Sequence, residues 1–353
     1  MRNVPPHPAV MSRLGDDGGR LSSLNALRGI AILLVIVSHF APASLTALTG
    51  NQSAMLVAYS GVILFFTLSG FLMDRTLLFD RNLLSYTVRR AARILPLYWL
   101  SLLIAFAIGS WTLRDLFINA AFLVPVAKTE LMSGVYWTLY VEVLFYCIAP
   151  ILIYSGDRAV KIAPYLFIAI DIVIWLVRGE PSHAIYHLTY CLLGMQFGAW
   201  YRGALSGTGL AIAATAITLS ASLLSPVSIL VGLSPLISGI LLWYALRKER
   251  QIAILSFFGD VSYGWYLTHA VVGLPLTAII VRNGASDWQA ALAGAGVALL
   301  LSWVVFRTIE RPSIRFGKTL IRNWVGHRVL RADRRSVPSV LAGDNAKTGG
   351  RAP

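Results

Sequence analysis

Charge is scarce in this chain, and acidic charge is the scarcest. Only 13% of its 353 residues are Asp, Glu, Lys or Arg, against about 25% in soluble domains. There are 16 acidic residues to 30 basic ones, and 57% of the chain is hydrophobic. So little polar surface excludes a soluble globule carrying one anchor. Cysteine is nearly missing. Cys147 and Cys191 fall in apolar segments with no CxxC partner, which argues against a disulfide framework or a cysteine zinc site. Walker A, GxGxxG, HExxH and GxSxG patterns are all absent. There is no internal repeat, so an inverted-repeat transporter gains no support. The net charge of +14 invites a nucleic-acid reading. The basic residues, however, gather at segment ends and in the C-terminal tail, as membrane topology and anionic headgroups require.

What the chain has in abundance is apolar runs. Ten can be marked, at 24–45, 54–73, 94–110, 136–154, 162–177, 186–201, 208–224, 228–246, 261–281 and 288–306. They predict an all-α, polytopic integral membrane protein with about ten transmembrane helices. Residues 112–127 are a weaker stretch, interfacial or re-entrant, and the seventh and eighth runs, split at Ser225 and Pro226, read as one helical hairpin. With the N-terminus in the cytoplasm, 26 Lys and Arg fall on the cytoplasmic side and four (Arg114, Lys128, Arg178, Arg282) outside. That asymmetry places both termini inside. The layout divides into a polar tail over 1–20, a membrane domain over 21–312 and a basic tail over 313–353, expected to be partly disordered near anionic lipid. The first run ends near Ala41, Pro42 and Ala43, resembling a signal-peptidase site, but it is long for a signal sequence and carries Arg28 and His39. We read it as a retained span.

Ionisable side chains inside spans need a reason to be there. Arg28 and His39 are eleven residues apart, about three helical turns and roughly 16 Å, so they share a face and bridge about half the hydrocarbon thickness. His39 reads evenly as a catalytic imidazole or as a packed histidine bonded to a neighbouring helix. Glu142, in YWTLYVEVLFY, enters its span from the other direction at a similar depth. Such a carboxylate needs a partner, and a Glu142–His39 pair would make the imidazole a better base. Asp171 has no evident partner, His187 sits near a span end and reads as interfacial, and His269 reads as a packed polar residue. Arg89, Arg90 and Arg93 precede the third run. If that stretch is helical, Arg90 and Arg93 share a face and could grip phosphates, although a plain positive-inside anchor looks the same. Ser69, in GVILFFTLSGFLM, could donate a hydrogen bond near the cytoplasmic end of span two, and Gly70 permits close helix approach.

Together these segments resemble the acyltransferase 3 family of integral membrane acyltransferases. The matching stretches are LNALRGIAILLVIVSHF (24–40), GVILFFTLSGFLM (61–73), RRAARILPLYW (89–99), YWTLYVEVLFYCIAP (136–150), SYGWYLTHAVV (262–272) and IERP (309–312). The resemblance implies a bacterial inner-membrane enzyme of the stand-alone kind. It would carry an acyl group, acetyl by default, from acyl-coenzyme A (acetyl-CoA) to a hydroxyl of a carbohydrate or glycosylated small-molecule acceptor, with neither a metal nor nucleic acid. It makes His39 the catalytic histidine with Glu142 as its partner. Arg28, Arg90 and Arg93, with Ser69, would bind the donor. Three positions depart from the pattern: Ile63 replaces a frequent acid, Asn25 a frequent Asp and Thr138 a Ser. The alternative is a transporter of an acylated or sugar species, with His39 and Glu142 as a proton relay.

Overall fold

The computed structural model describes residues 22–42, 50–225, 228–248 and 252–336. Among them helices dominate and no strand occurs. In chain order they are α1 (Ser22–His39), α2 (Asn51–Phe79), α3 (Leu83–Ile108), the short α4 (Leu113–Ala120) and α5 (Val124–Ala127), α6 (Trp137–Tyr154), α7 (Asp157–Arg178), α8 (His183–Tyr201), α9 (Gly207–Leu224), α10 (Ser234–Arg247, after a 3-10 turn at Val231–Leu233), α11 (Ala253–Thr268), α12 (Leu274–Arg282), α13 (Asp287–Val305) and α14 (Arg311–Ser336). A π-helical turn at His269–Gly273 joins α11 to α12, and another at Phe306–Glu310 joins α13 to α14.

Eight helical segments are long and apolar enough to cross a membrane. Two further rods complete the ten that the apolar runs predict. The one from Val231 to Arg247 is short. The other, α8, carries His, Thr and Gln, yet is buried from Tyr186 to Ala199. A helix wrapped by protein does not have to match lipid, which is why its composition is more polar than its neighbours'.

The helices extend beyond their apolar runs. α3 begins at Leu83, not 94, capped by the Asn82 side chain, which accepts from the amides of Leu84 and Ser85. Arg89, Arg90 and Arg93 are therefore inside the helix, and their charge hid its first three turns from a hydropathy reading. α11 likewise starts at Ala253 rather than 261. Residues 313–336, the start of the tail expected to be partly disordered, are helical; 1–20 and 337–353 lie outside the described residues, as does Ala43. The weak stretch at 112–127 forms α4 and α5, the first held by a Thr112/Asp115 capping box. Asn119, fully buried, ties this excursion down. Its amide donates to the carbonyls of Asp115 and Glu130, its side-chain oxygen accepts from Met132, and its own carbonyl accepts from Tyr98.

The core forms where backbones nearly touch. α2 lies on α8, and a Cβ on Gly70 would stand 1.8 Å from the Cys191 carbonyl oxygen, one on Gly194 1.9 Å from that of Thr67. α1 is held between α2 and α11, with Gly29 and Gly259 equally tight at the second contact. Small residues of this kind let membrane helices gain van der Waals contact where no hydrophobic drive acts between them. At one end of the bundle Arg202 joins Asp74, fully buried at the end of α2, to Asp157 at the start of α7, at 3.2 and 2.6 Å.

Candidate active site

α1, α2, α3, α6 and α11 enclose a cavity of about 850 Å³, counting its open mouth. Its α2 wall runs from Val62 to Met73, about 16 Å along the helix. Arg28, Arg90 and Arg93 line it at one end. The Arg28 guanidinium donates to the Ser262 hydroxyl at 3.2 Å. Arg90 lies 5.9 and 5.6 Å from the ring centres of Tyr86 and Tyr146, which hold its charge without neutralising it. Three guanidiniums against one carboxylate, Glu142, make this end electropositive. It can accept an anion bidentately.

Glu142 is taken up inside the cavity. It accepts from the Ser69 hydroxyl at 3.3 Å and from the Tyr146 phenol. No hydrogen bond joins it to His39 among the described residues, contrary to the pairing expected from depth alone. α6 carries the carboxylate one turn past Thr138, toward the arginines. Ser69, Arg28, Arg90, Arg93 and Glu142, five of the six residues to which the family resemblance gives a role, line one cavity. His39 does not line it.

Thr138 and Tyr266 also line the cavity; their hydroxyls bond at 2.8 Å, while Tyr266 also donates to the Val135 carbonyl. Beyond Tyr266 the rings continue. Its ring centre is 5.6 Å from that of His269, and His269 is 5.0 Å from His39 in an edge-on arrangement. His39 ends α1, exposed, with Nδ1 2.8 Å from the Val35 carbonyl. A nitrogen facing a carbonyl must carry the hydrogen, so Nε2 holds the lone pair, the tautomer a general base needs. His269 is built the same way. Its Nδ1 is 3.1 Å from the Trp265 carbonyl, and its buried Nε2 has no hydrogen-bond partner.

His269 thus has a place that a lone histidine in a sequence does not disclose; the one available signal was its position on the matching segment SYGWYLTHAVV. His187, near the start of its helix, is packed inside the protein. It is 2% exposed, donates from Nδ1 to the His183 carbonyl, and packs on Trp137 with ring centres 4.6 Å apart. Asp171 does have a partner, the Ser182 amide at 2.7 Å, and so ties α7 to the start of α8.

Comparison with known proteins places the chain in a family. The family model Acyl_transf_3, described as an acyltransferase domain, matches residues 21–307. The Rhizobium meliloti (strain 1021) protein named "Exopolysaccharide production protein ExoZ" is 26% identical, with 74% of this chain and 91% of the relative covered. A protein of the Acidianus two-tailed virus, named "Putative acetyltransferase ORF330", is 25% identical, with 70% and 81% covered. No solved structure matches the chain at a significant level. Family membership sets the transporter alternative aside: the protein is a membrane acyltransferase, and the chain belongs to the acyltransferase 3 family.

Proposed function

We propose that the protein transfers an acyl group, acetyl as the simplest, from acyl-coenzyme A to a hydroxyl of a carbohydrate acceptor, with His39 as the general base. The carrying observation is the cavity that runs from Arg28, Arg90 and Arg93 to Tyr266, two ring contacts short of His39. The name of the Rhizobium relative supports a polysaccharide acceptor, and that of the viral relative an acetyl group.

In this reading the arginine end faces the cytoplasm, where acyl-coenzyme A is made, and His39 faces the far side of what in a bacterium is the inner membrane. The Lys and Arg distribution supports that orientation. The donor's phosphates meet the guanidiniums, Ser69 and Glu142 hold the cavity wall, and the pantetheine arm runs between α2 and α11. The acceptor hydroxyl gives its proton to His39 Nε2 as its oxygen attacks the thioester carbonyl. When the tetrahedral intermediate collapses, the C–S bond breaks, and the imidazolium returns the proton to the leaving thiolate. Free coenzyme A and an O-acyl ester result. The Thr138–Tyr266 contact must part for the thioester to reach His39. Transfer therefore includes a movement of α6 against α11.

The test is acyl-group analysis of cell-surface and secreted glycans in matched strains carrying the intact gene, a deletion and His39→Ala. Loss of one O-acyl ester in both defective strains, with the variant protein still in the membrane, is the expected result. Full ester content with His39→Ala would remove His39 from the chemistry.

A further inference from the structure

A second cavity opens beside the first. It shares Arg28 and Arg93 with it and is closed on the far side by α14, through Arg311, Arg315 and Lys318. These three sit at i, i+4 and i+7 and so form one face of the helix. The sequence places Arg311 at the end of the membrane domain and assigns Arg315 and Lys318 to no more than a basic tail. The fold does more with them. α14 begins at the π-helical turn over Phe306–Glu310 and lies against α3. At the contact, a Cβ on Gly317 would stand 2.8 Å from the Cβ of Ala92. The neighbours of those two residues, Lys318 and Arg93, are thereby brought to one cavity. Its wall holds five cations against two carboxylates, Asp260 and Glu310. Phe306 and Ile314 add an apolar strip. A surplus of guanidinium and ammonium groups around an open space fits a phosphorylated ligand with a flat apolar part.

We propose that this cavity binds the 3′-phosphorylated adenosine of the donor, with Arg315 and Lys318 on the 3′-phosphate and the shared Arg28 and Arg93 on the diphosphate that leads into the first cavity. The assignment rests on the acyl-coenzyme A reading above. It gives α14 a role as a recognition element, so that an unphosphorylated nucleotide is discriminated against before the thioester enters.

Binding measured by titration calorimetry tests it. The full chain is used in nanodiscs of neutral lipid and, separately, of lipid containing an anionic phospholipid. The ligands are coenzyme A and dephospho-coenzyme A, which lacks only the 3′-phosphate. The intact protein prefers coenzyme A. Arg315→Ala and Lys318→Ala each weaken coenzyme A binding roughly tenfold, leave dephospho-coenzyme A binding nearly unchanged, and together erase the preference; Arg315→Lys restores part of it. Unaltered thermal midpoints establish that the variants fold. A double variant that keeps the intact protein's preference overturns the assignment. So does one whose sole defect is loss of bound anionic lipid, which would make the cavity a headgroup site. Failure of the intact protein to bind either nucleotide overturns the donor reading itself, and this assignment with it.

Discussion

His39 and His269 are two imidazoles fixed by the same device, an Nδ1–H held by the carbonyl one turn back in the helix. One is exposed and the other has no exposed surface. If His39 is the base proposed above, their edge-on contact lets His269 position it. His269→Gln is expected to lower kcat by on the order of tenfold, since small displacements of a catalytic group are costly, while donor KM moves little. The readout particular to positioning is the pH profile of kcat. It should shift with His269→Gln and not with a substitution that merely loosens packing. At the other end, Arg90→Ala and Arg93→Ala should each raise donor KM roughly tenfold or more and lower kcat less. A charge-assisted contact to phosphate has about that worth. Equal loss in both parameters would place these arginines in the chemistry and not in binding. Arg28, Ser69 and Glu142 stood out in the sequence as charged or small polar residues in apolar runs, and Arg90 and Arg93 as a spaced pair just ahead of one. The partnerships were not legible. Depth paired Glu142 with His39, but helix rotation, which hydropathy does not record, turns the carboxylate to Ser69 and Tyr146 instead.

Among helices, the site depends on how closely backbones can approach. Gly70→Ala places a methyl against the Cys191 carbonyl and should lower stability by about 1–3 kcal/mol, read as a fall in the thermal unfolding midpoint of the solubilised protein. Gly296→Ala, on α13, meets nothing within 4 Å. It is expected to be neutral or slightly stabilising through helix propensity alone. Similar gains in both would mean that propensity and not packing governs these positions. The existence of the helices was readable from apolar runs of spanning length, and their ends were not. The third turn of α3 is basic where Arg90 and Arg93 line the cavity, and α8 is only moderately apolar because protein surrounds it. In both cases the departure from the lipid-facing pattern marks an element that builds the interior. α14 escaped for the same reason: its basic residues looked like a solvated tail until the π-helical turn directed them to the rim beside Arg93.

For the whole molecule, the ten rods place the arginine-lined cavity at one end and His39 at the other. Single cysteines introduced at Arg114, Arg178 or Arg282 in a background lacking Cys147 are expected to react with a membrane-impermeant thiol reagent added outside intact cells. One at Lys318 should react only after the cells are opened. The reverse pattern would invert the orientation and with it the side from which the donor enters. The closure between the two ends also has an electrical meaning. A membrane that stores energy as a proton gradient cannot tolerate a water-filled passage through one of its enzymes, and here a long hollow on one face approaches an imidazole on the other. In the transfer reading proposed above, the bond between Thr138 and Tyr266 would be what interrupts a water column between the two ends. On that reading, vesicles containing a Thr138→Ala, Tyr266→Ala double variant should lose an imposed pH gradient faster than vesicles containing the intact protein, and one pair of hydroxyls would act as an insulator across the membrane.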